Sequence, residues 1–263
     1  MRPDAKAGRL AQLFRPALPT LASVGGLILL WWVAAVLTEA PRHFPGPQAV
    51  FAIMAAETAS GALPYHLGMT LLRVVAAFVL AMAIGSAIGI ALGLSRRANR
   101  FFDPWVILLL NVPALVVIVL AYIWVGLNEI AAIGAIAVNK IPNVVVTLRE
   151  GARALDRQLS EMATVYRFSR LDRLRHIVLP QLQPYLATAS RTGLSLIWKI
   201  ALVVELLGRS NGVGFQIATY FSLFDVAGIL AYTLAFVAVM LVAEFALVQP
   251  LEARATRWRP RAA

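Results

Sequence analysis

The chain has 263 residues, of which 60% are hydrophobic and only 14% are charged, and its formal net charge is +11. Soluble domains carry about 25% charged residues, so this composition excludes an ordinary soluble protein and favours an integral membrane protein. The sequence contains no cysteine, which excludes disulfide frameworks and thiolate metal sites.

Six apolar runs are each long enough to cross a bilayer as a helix, which takes about 20 residues. In chain order they cover approximately residues 18–37, 67–94, 104–126, 130–148, 184–207 and 227–248. The predicted fold class is therefore all-α, a polytopic membrane protein with six transmembrane helices. The predicted domain organisation is a cytoplasmic N-terminal segment, a transmembrane domain and a cytoplasmic C-terminal tail, at residues 1–17, 18–250 and 251–263.

The first two predicted spans are joined by a Pro-rich turn and a short amphipathic segment. Pro41 to Pro47 form the turn, and residues 48–60 carry a modest apolar face. This pattern predicts a short external helix that lies along the membrane surface.

The second predicted span carries a row of small residues, Gly85, Gly89 and Gly93. Such a row permits two helices to approach closely. Packing against another helix of the same subunit is favoured over a contact between two subunits.

The basic residues predict the orientation of the spans. Most of the 24 lysines and arginines precede the first span or follow the second, fourth and sixth spans. The loops on the opposite side hold only Arg42 and Arg209. By the positive-inside rule, both termini are predicted to be cytoplasmic.

The loop between the fourth and fifth spans, residues 149–183, is long and charged but keeps a helical apolar period. The apolar positions are Leu155, Leu159, Met162, Tyr166, Leu171, Leu174 and Ile177. The pattern predicts a short amphipathic helix, a bend, and a second helix that ends at Leu179-Pro180. Two interpretations are open: a connecting loop on anionic head groups, or a docking helix for a cytoplasmic partner.

Two motifs in this loop, Glu161-Met162-Ala163 and Ile177-Val178-Leu179-Pro180, resemble the EAA signature of ABC importer permeases. The wider chain, roughly residues 45–258, is similar to the nitrate, sulfonate, taurine and bicarbonate branch. That similarity rests on Asn111-Val112-Pro113, Trp124-Val125-Gly126, Gly151-Ala152-Arg153, Val204-Glu205 and Asn211-Gly212-Val213-Gly214.

The resemblance implies a type I ABC importer permease of the bacterial inner membrane. It implies three partners: two copies of a cytoplasmic ABC ATPase, a periplasmic or lipid-anchored solute-binding protein, and a second copy of this chain. Since the sequence lacks a phosphate-binding P-loop, we expect no catalysis and no cofactor in this chain, with ATP and Mg bound by the ATPase. The implied coupling residues are Glu161, Met162, Ala163, Arg167, Ile177, Leu179 and Pro180.

Two of these positions depart from the family pattern. Arg167 stands where the family has a Gly at the bend, and Met162 replaces an Ala. An Arg is costly at positive φ, so we expect a negative φ at Arg167.

Several charged side chains fall within the predicted spans, where they are costly and call for a partner or a function. Arg191, Ser195 and Lys199 share one helical face, and Glu205 and Glu244 are available acids. One interpretation is that the cations pair with these acids to permit burial. The other is that Lys140 and Lys199 face a dimer cavity and favour an anionic solute. The predicted path residues are Asn139, Lys140, Asn143, Ser195, Lys199 and Glu205.

Two other classes of protein fit the sequence less well. An ion-coupled secondary transporter could use Lys140, Glu205 and Glu244 as a relay, but no inverted repeat is visible. An intramembrane enzyme would need a catalytic motif, and none is present. The three histidines lack metal-ligand spacing, so no metal site is predicted. The favoured solute is a small anion, organic by preference and of the sulfonate, nitrate or taurine type that the resemblance implies.

Overall fold

The computed structural model describes residues 17–38 and 42–250, and the regular structure within them is entirely helical. The predicted C-terminal tail and nearly all of the N-terminal segment lie outside the described residues. The helices are α1 Ala17–Thr38, α2 Pro47–Ala59, α3 Ala62–Leu94, α4 Arg96–Asn111, α5 Ala114–Val125, α6 Glu129–Arg153, α7 Arg157–Val165, α8 Arg170–Arg173, α9 Leu179–Gly208, α10 Val213–Ser222 and α11 Val226–Ala243.

Within the described residues, three helices are long and apolar enough to cross a membrane. They are α3, α6 and the helix Val226–Ala246, and the bent pair α4–α5 brings the number to four if it forms one span. The fifth predicted span corresponds to α9, whose 30 residues extend about 45 Å. Three charged residues, Arg191, Lys199 and Glu205, lie within α9, and it is not among the three helices counted above.

The third predicted span, 104–126, was wrong as a single straight helix. The chain there forms α4 and α5, which meet at an angle of 95°. The bend lies at Val112-Pro113, where Val112 is extended with ψ 126°. Pro113 has no N–H to continue a helix and disfavours a helical conformation in the residue before it, which explains the break.

The glycine row of α3 packs against α6, which confirms the prediction of contact within the subunit. A Cβ atom at Gly85 would lie 2.6 Å from Cβ of Val144, and one at Gly89 would lie 2.7 Å from the carbonyl oxygen of Val145. These distances leave no room for a side chain, so the two backbones approach each other closely.

The predicted short helix after the Pro-rich turn is present as α2. Val50 on this helix is fully buried, and α2 packs against α11. The hydroxyl of Tyr232 on α11 donates a hydrogen bond to Glu57 Oε2 at 2.8 Å. These contacts attach α2 to the helical bundle.

The prediction that a helix ends at Leu179-Pro180 was wrong. A wide helical turn, Leu174–Val178, joins α8 to α9, and the Leu179 N–H reaches the Leu174 carbonyl five residues back. Pro180 then lies in the first turn of α9, where a missing N–H costs little. The second helix of the loop therefore continues directly into the next membrane helix.

Candidate functional site

The segment that connects α6 to α9, residues 154–180, is here called the coupling segment. Its first helix, α7, begins at Asp156, whose carboxylate accepts a hydrogen bond from the Gln158 N–H at 2.7 Å. The Asp156 N–H in turn donates to Gln181 Oε1 at 2.8 Å, which fastens the start of α7 to α9. The local sequence thus sets both where α7 starts and where it is anchored.

The bend after α7 is a left-handed turn at Arg167. The φ of Arg167 is 53°, so the expectation of a negative φ was wrong. The Phe168 N–H donates to the Ala163 carbonyl at 2.9 Å, and the Arg167 N–H donates to the Thr164 carbonyl at 3.1 Å. This pair of hydrogen bonds satisfies the last carbonyls of α7 and requires a left-handed residue at position 167, even though an Arg there is strained.

One side of the coupling segment packs on the membrane helices. Ile177 and Val178 are buried, and Val178 packs with Leu148 of α6 and Leu182 of α9. Ala163 on α7 is also buried. A displacement of the coupling segment would therefore act directly on α6 and α9.

The other side of the coupling segment exposes large apolar side chains. Val165 is 78% exposed and Tyr166 and Leu171 are each 71% exposed, while Met162 and Leu179 are partly covered. The side chain of Glu161 is exposed, with Arg157 at 4.0 Å. An apolar surface beside exposed charges is typical of a protein interface.

A second group of functional interest is a buried ionic cluster at the opposite ends of α6 and α9. We call it the Arg73 cluster, and its members are Thr70, Arg73, Glu129, Glu205, Arg209 and Asn211. Arg73 and Glu205 are both fully buried, with Nη1 of Arg73 at 2.6 Å from Oε1 of Glu205. Arg73 also binds Glu129 through two hydrogen bonds of 2.7 Å, and Arg209 Nη2 lies 2.6 Å from Glu129. Two cations and two carboxylates thus balance one another.

The segment after α9 folds back over the Arg73 cluster. Glu205 accepts hydrogen bonds from the Gly214 N–H at 2.9 Å and from the Thr70 hydroxyl at 2.8 Å. Gly212, at φ 108°, donates its N–H to Nδ1 of His66 at 3.0 Å. Any side chain at Gly212 would collide with the Glu205 carboxylate. The two glycines of the Asn211–Gly214 motif therefore serve a close backbone approach to a buried charge.

The Arg73 cluster corrects part of the sequence interpretation. Glu205 was expected to line the path or to pair with a span cation (Lys140, Arg191 or Lys199), yet its carboxylate is bound by Arg73 on α3. Sequence reasoning assigned no role to Arg73 or Glu129. The available signal was a lone arginine inside an apolar run, which requires an acidic partner somewhere in the fold.

The remaining predicted path residues divide between an exposed and a buried group. Ser195 and Lys199 lie exposed on one face of α9, and Arg191 on that face lies 3.6 Å from Glu244, which confirms pairing for this cation. Asn139 and Asn143 are partly buried.

Lys140 is only 2% exposed and lies against Gly193, where a Cβ would come within 2.5 Å of its Cε. No described residue forms a hydrogen bond or ion pair with its ammonium group. The two lysines therefore do not share a surface within one chain.

Residues 81–249 match the family of binding-protein-dependent transport system inner membrane components. The chain belongs to this family. It is therefore a non-catalytic, multi-pass permease component of an ABC importer in the inner membrane, and the system implies a partner ATPase that hydrolyses ATP and a solute-binding protein. This assignment replaces the alternatives of a secondary transporter and an intramembrane enzyme. Among the residues whose positions are described, no group of three or more acidic or histidine side chains is placed to hold a metal ion.

Relatives of this permease fall in the branch indicated by the sequence. It is 35% identical over 191 residues to an Escherichia coli (strain K12) protein that carries the name of an aliphatic sulfonates transport permease, SsuC, with 72% of this chain and 73% of that protein covered. It is 28% identical to TauC of the same organism, named as a taurine transport system permease, with 94% and 91% covered.

Solved structures show the same fold at low sequence identity. The MetNI methionine ABC transporter matches with a TM-score of 0.60 at 17% identity, covering 69% of this chain and 92% of that chain. A crystal structure of an amino acid ABC transporter matches with a TM-score of 0.61 at 18% identity, covering 76% and 97%.

Proposed function

We propose that this permease forms, with a second copy of itself, the translocation path for a small sulfonate-type anion. In this proposal a binding protein delivers the solute, and an ATPase seated on the coupling segment drives transport. The observation that carries it is the two-sided coupling segment, which is exposed and apolar outward and buried against α6 and α9 inward. The names of SsuC and TauC support a sulfonate as the solute class. The proposed arrangement has six spans with both termini in the cytoplasm.

Coupling follows from the continuity of α8 with α9. The helical path runs without a loop from Arg170 to Gly208. A push on α8 is therefore transmitted along the same helix that carries Ser195 and Lys199. At the far end, the Arg73 cluster ties the end of α9 to α3 and to the start of α6.

The proposed path lies along the exposed face of α9. Lys199 supplies a positive charge there, and two-fold symmetry would place a second Lys199 across the path. An ammonium group in a narrow, poorly hydrated path attracts anions more strongly than it would in bulk water. Lys140 becomes available to the solute only if α6 and α9 separate at Gly193.

The ATPase contact is tested by Val165→Asp, which places a charge on the exposed apolar side of α7. Since Val165 is 78% exposed, the variant should fold normally. We expect co-purification of the ATPase and solute uptake to be lost together. Val165→Thr keeps the side-chain shape and serves as the matched control. Normal ATPase binding by the Asp variant would remove the coupling segment from the proposed mechanism.

The path is tested with cysteine chemistry, because the natural chain has no cysteine. Ser195→Cys introduces a single thiol one helical turn from Lys199, at about 6 Å. A unit charge at that distance contributes about 0.7 kcal/mol even at the dielectric constant of water, with opposite sign for anions and cations. An anionic methanethiosulfonate reagent should therefore react at least about tenfold faster than a cationic one, after correction for their rates with a free thiol.

Lys199→Met should abolish this preference and Lys199→Arg should preserve it. Uptake of a radiolabelled alkanesulfonate by the same two lysine variants should follow the same order. Equal reaction rates for both reagents in the Ser195→Cys protein would place Lys199 outside the path.

A further inference from the structure

A large basic cavity lies beside the coupling segment. Its volume is about 980 Å³, and it lies between the end of α3, the start of α4 and the coupling segment. Five arginines from three separate stretches of chain line it: Arg96, Arg100, Arg153, Arg157 and Arg173.

The positive charge of this cavity is poorly compensated. Its one acidic lining side chain, Asp103, is already bound by Arg149. Arg153 binds Glu150 at 2.9 Å, and Arg157 lies 4.0 Å from Glu161. Over residues 17–38 and 42–250, no carboxylate forms an ion pair with Arg96, Arg100 or Arg173. The cavity is thus suited to an anion supplied from outside the chain.

Apart from Gly93 and Asn99, the remaining walls of the cavity are apolar, which distinguishes it from a site for a small soluble anion. Leu92, Leu94, Pro104, Ala152 and Leu155 form these walls. On α4, next to the arginines, Phe101 is 66% exposed and Trp105 is 63% exposed. Arginines together with exposed aromatic side chains are typical of the head-group level of a membrane. An amphiphile with a phosphate group satisfies both kinds of wall.

We propose that the cavity binds the head group of an anionic phospholipid. Arg96 and Arg100 of α4 and Arg173 of α8 hold its phosphate, since guanidinium groups match phosphate oxygens in geometry and charge. The glycerol and the first methylene groups lie on the apolar walls. The bound lipid bridges α4 to the coupling segment. This inference needs only the residence of the permease in the inner membrane and does not depend on the identity of the solute.

The test uses the full-length permease alone, purified in a mild detergent. Dioleoylphosphatidylglycerol and dioleoylphosphatidylcholine are titrated separately, and bound lipid is measured by native mass spectrometry. An arginine near an anionic membrane surface contributes about fivefold to binding, so Arg96→Gln/Arg100→Gln should weaken phosphatidylglycerol binding about 25-fold. Arg173→Gln should weaken it about fivefold.

Arg175→Gln is the matched control, because Arg175 lies two residues from Arg173 in the coupling segment but does not line the cavity. It should leave the affinity within about twofold of the wild type, since only the general surface potential changes. Equal loss in Arg175→Gln and Arg173→Gln would reduce the effect to general charge and overturn the proposal. Equal affinity for the two lipids would also overturn it. Displacement of phosphatidylglycerol by millimolar inorganic phosphate would assign the cavity to a free anion instead. Circular dichroism of each variant establishes that the fold is intact.

Discussion

Arg73 offers a sharp test of the buried ionic cluster. Replacing it with Met removes the side chain that binds two carboxylates and Asn211 while roughly preserving its apolar volume. Glu205 would then remain fully buried with no cation in contact, because Arg209 binds Glu129 rather than Glu205.

The magnitude follows from the burial of the pair. Breaking a buried ion pair by removing one partner costs about 3–5 kcal/mol, mostly because the other charge is left uncompensated. The double variant Arg73→Met/Glu205→Met, which replaces both partners, should therefore lose less free energy of unfolding than Arg73→Met alone. Thr70→Val removes one neutral donor to Glu205 and should cost about 1–3 kcal/mol.

The assay is reversible unfolding of the purified permease in mixed micelles, followed by circular dichroism. Arg191→Met is the control, since Arg191 is half-exposed and lies 3.6 Å from Glu244, and such a pair contributes about 1 kcal/mol or less. A loss of less than about 1 kcal/mol in Arg73→Met, or a double variant less stable than the single one, would show that Arg73 does not neutralise a buried Glu205.

Substitutions at Arg167, Gly89 and Gly193 test backbone strain and close packing in other parts of the chain. Arg167→Gly should raise the free energy of unfolding by about 1 kcal/mol in the same assay, because it removes the strain of a left-handed Arg; no gain would contradict the turn described at the end of α7. Gly89→Ala should lower the free energy of unfolding by about 1–3 kcal/mol, because the new methyl group collides with α6. Gly68→Ala is the control, since a Cβ there meets open space, and it should leave the stability unchanged or slightly higher. Equal effects of the two substitutions would contradict the close packing of α3 on α6. Gly193→Ala should lower the free energy of unfolding by about 1 kcal/mol less in a Lys140→Ala background than in the wild type. Strict additivity in that double-mutant cycle would show that the two residues are not in contact.

The coupling segment was predictable from the sequence in its existence, its helical character and its resemblance to the permease signature. Apolar spacing and motif identity are local properties, so they can be read without coordinates. Its two junctions were not predictable. The left-handed Arg167 is held by two backbone hydrogen bonds at the end of α7, and Pro180 is accommodated by a wide turn that the packing of Val178 on α6 and α9 stabilises. In both cases the backbone conformation depends on the surrounding structure and not on the intrinsic conformational preference of the residue.

The class of this protein follows from its amino-acid sequence alone. Apolar runs too long and too poor in charge for a soluble core require a membrane, and the basic loops and signature motif identify an importer permease. Which buried charges pair with one another depends on how the helices pack. Arg73 and Glu205 are separated by more than one hundred residues, and a one-dimensional pattern carries no information on which of several acids a buried arginine will reach. That pairing arises when α3, α6 and α9 pack together. In the low-dielectric interior an unpaired charge has a high free energy, so the packed arrangement that pairs Arg73 with Glu205 is favoured.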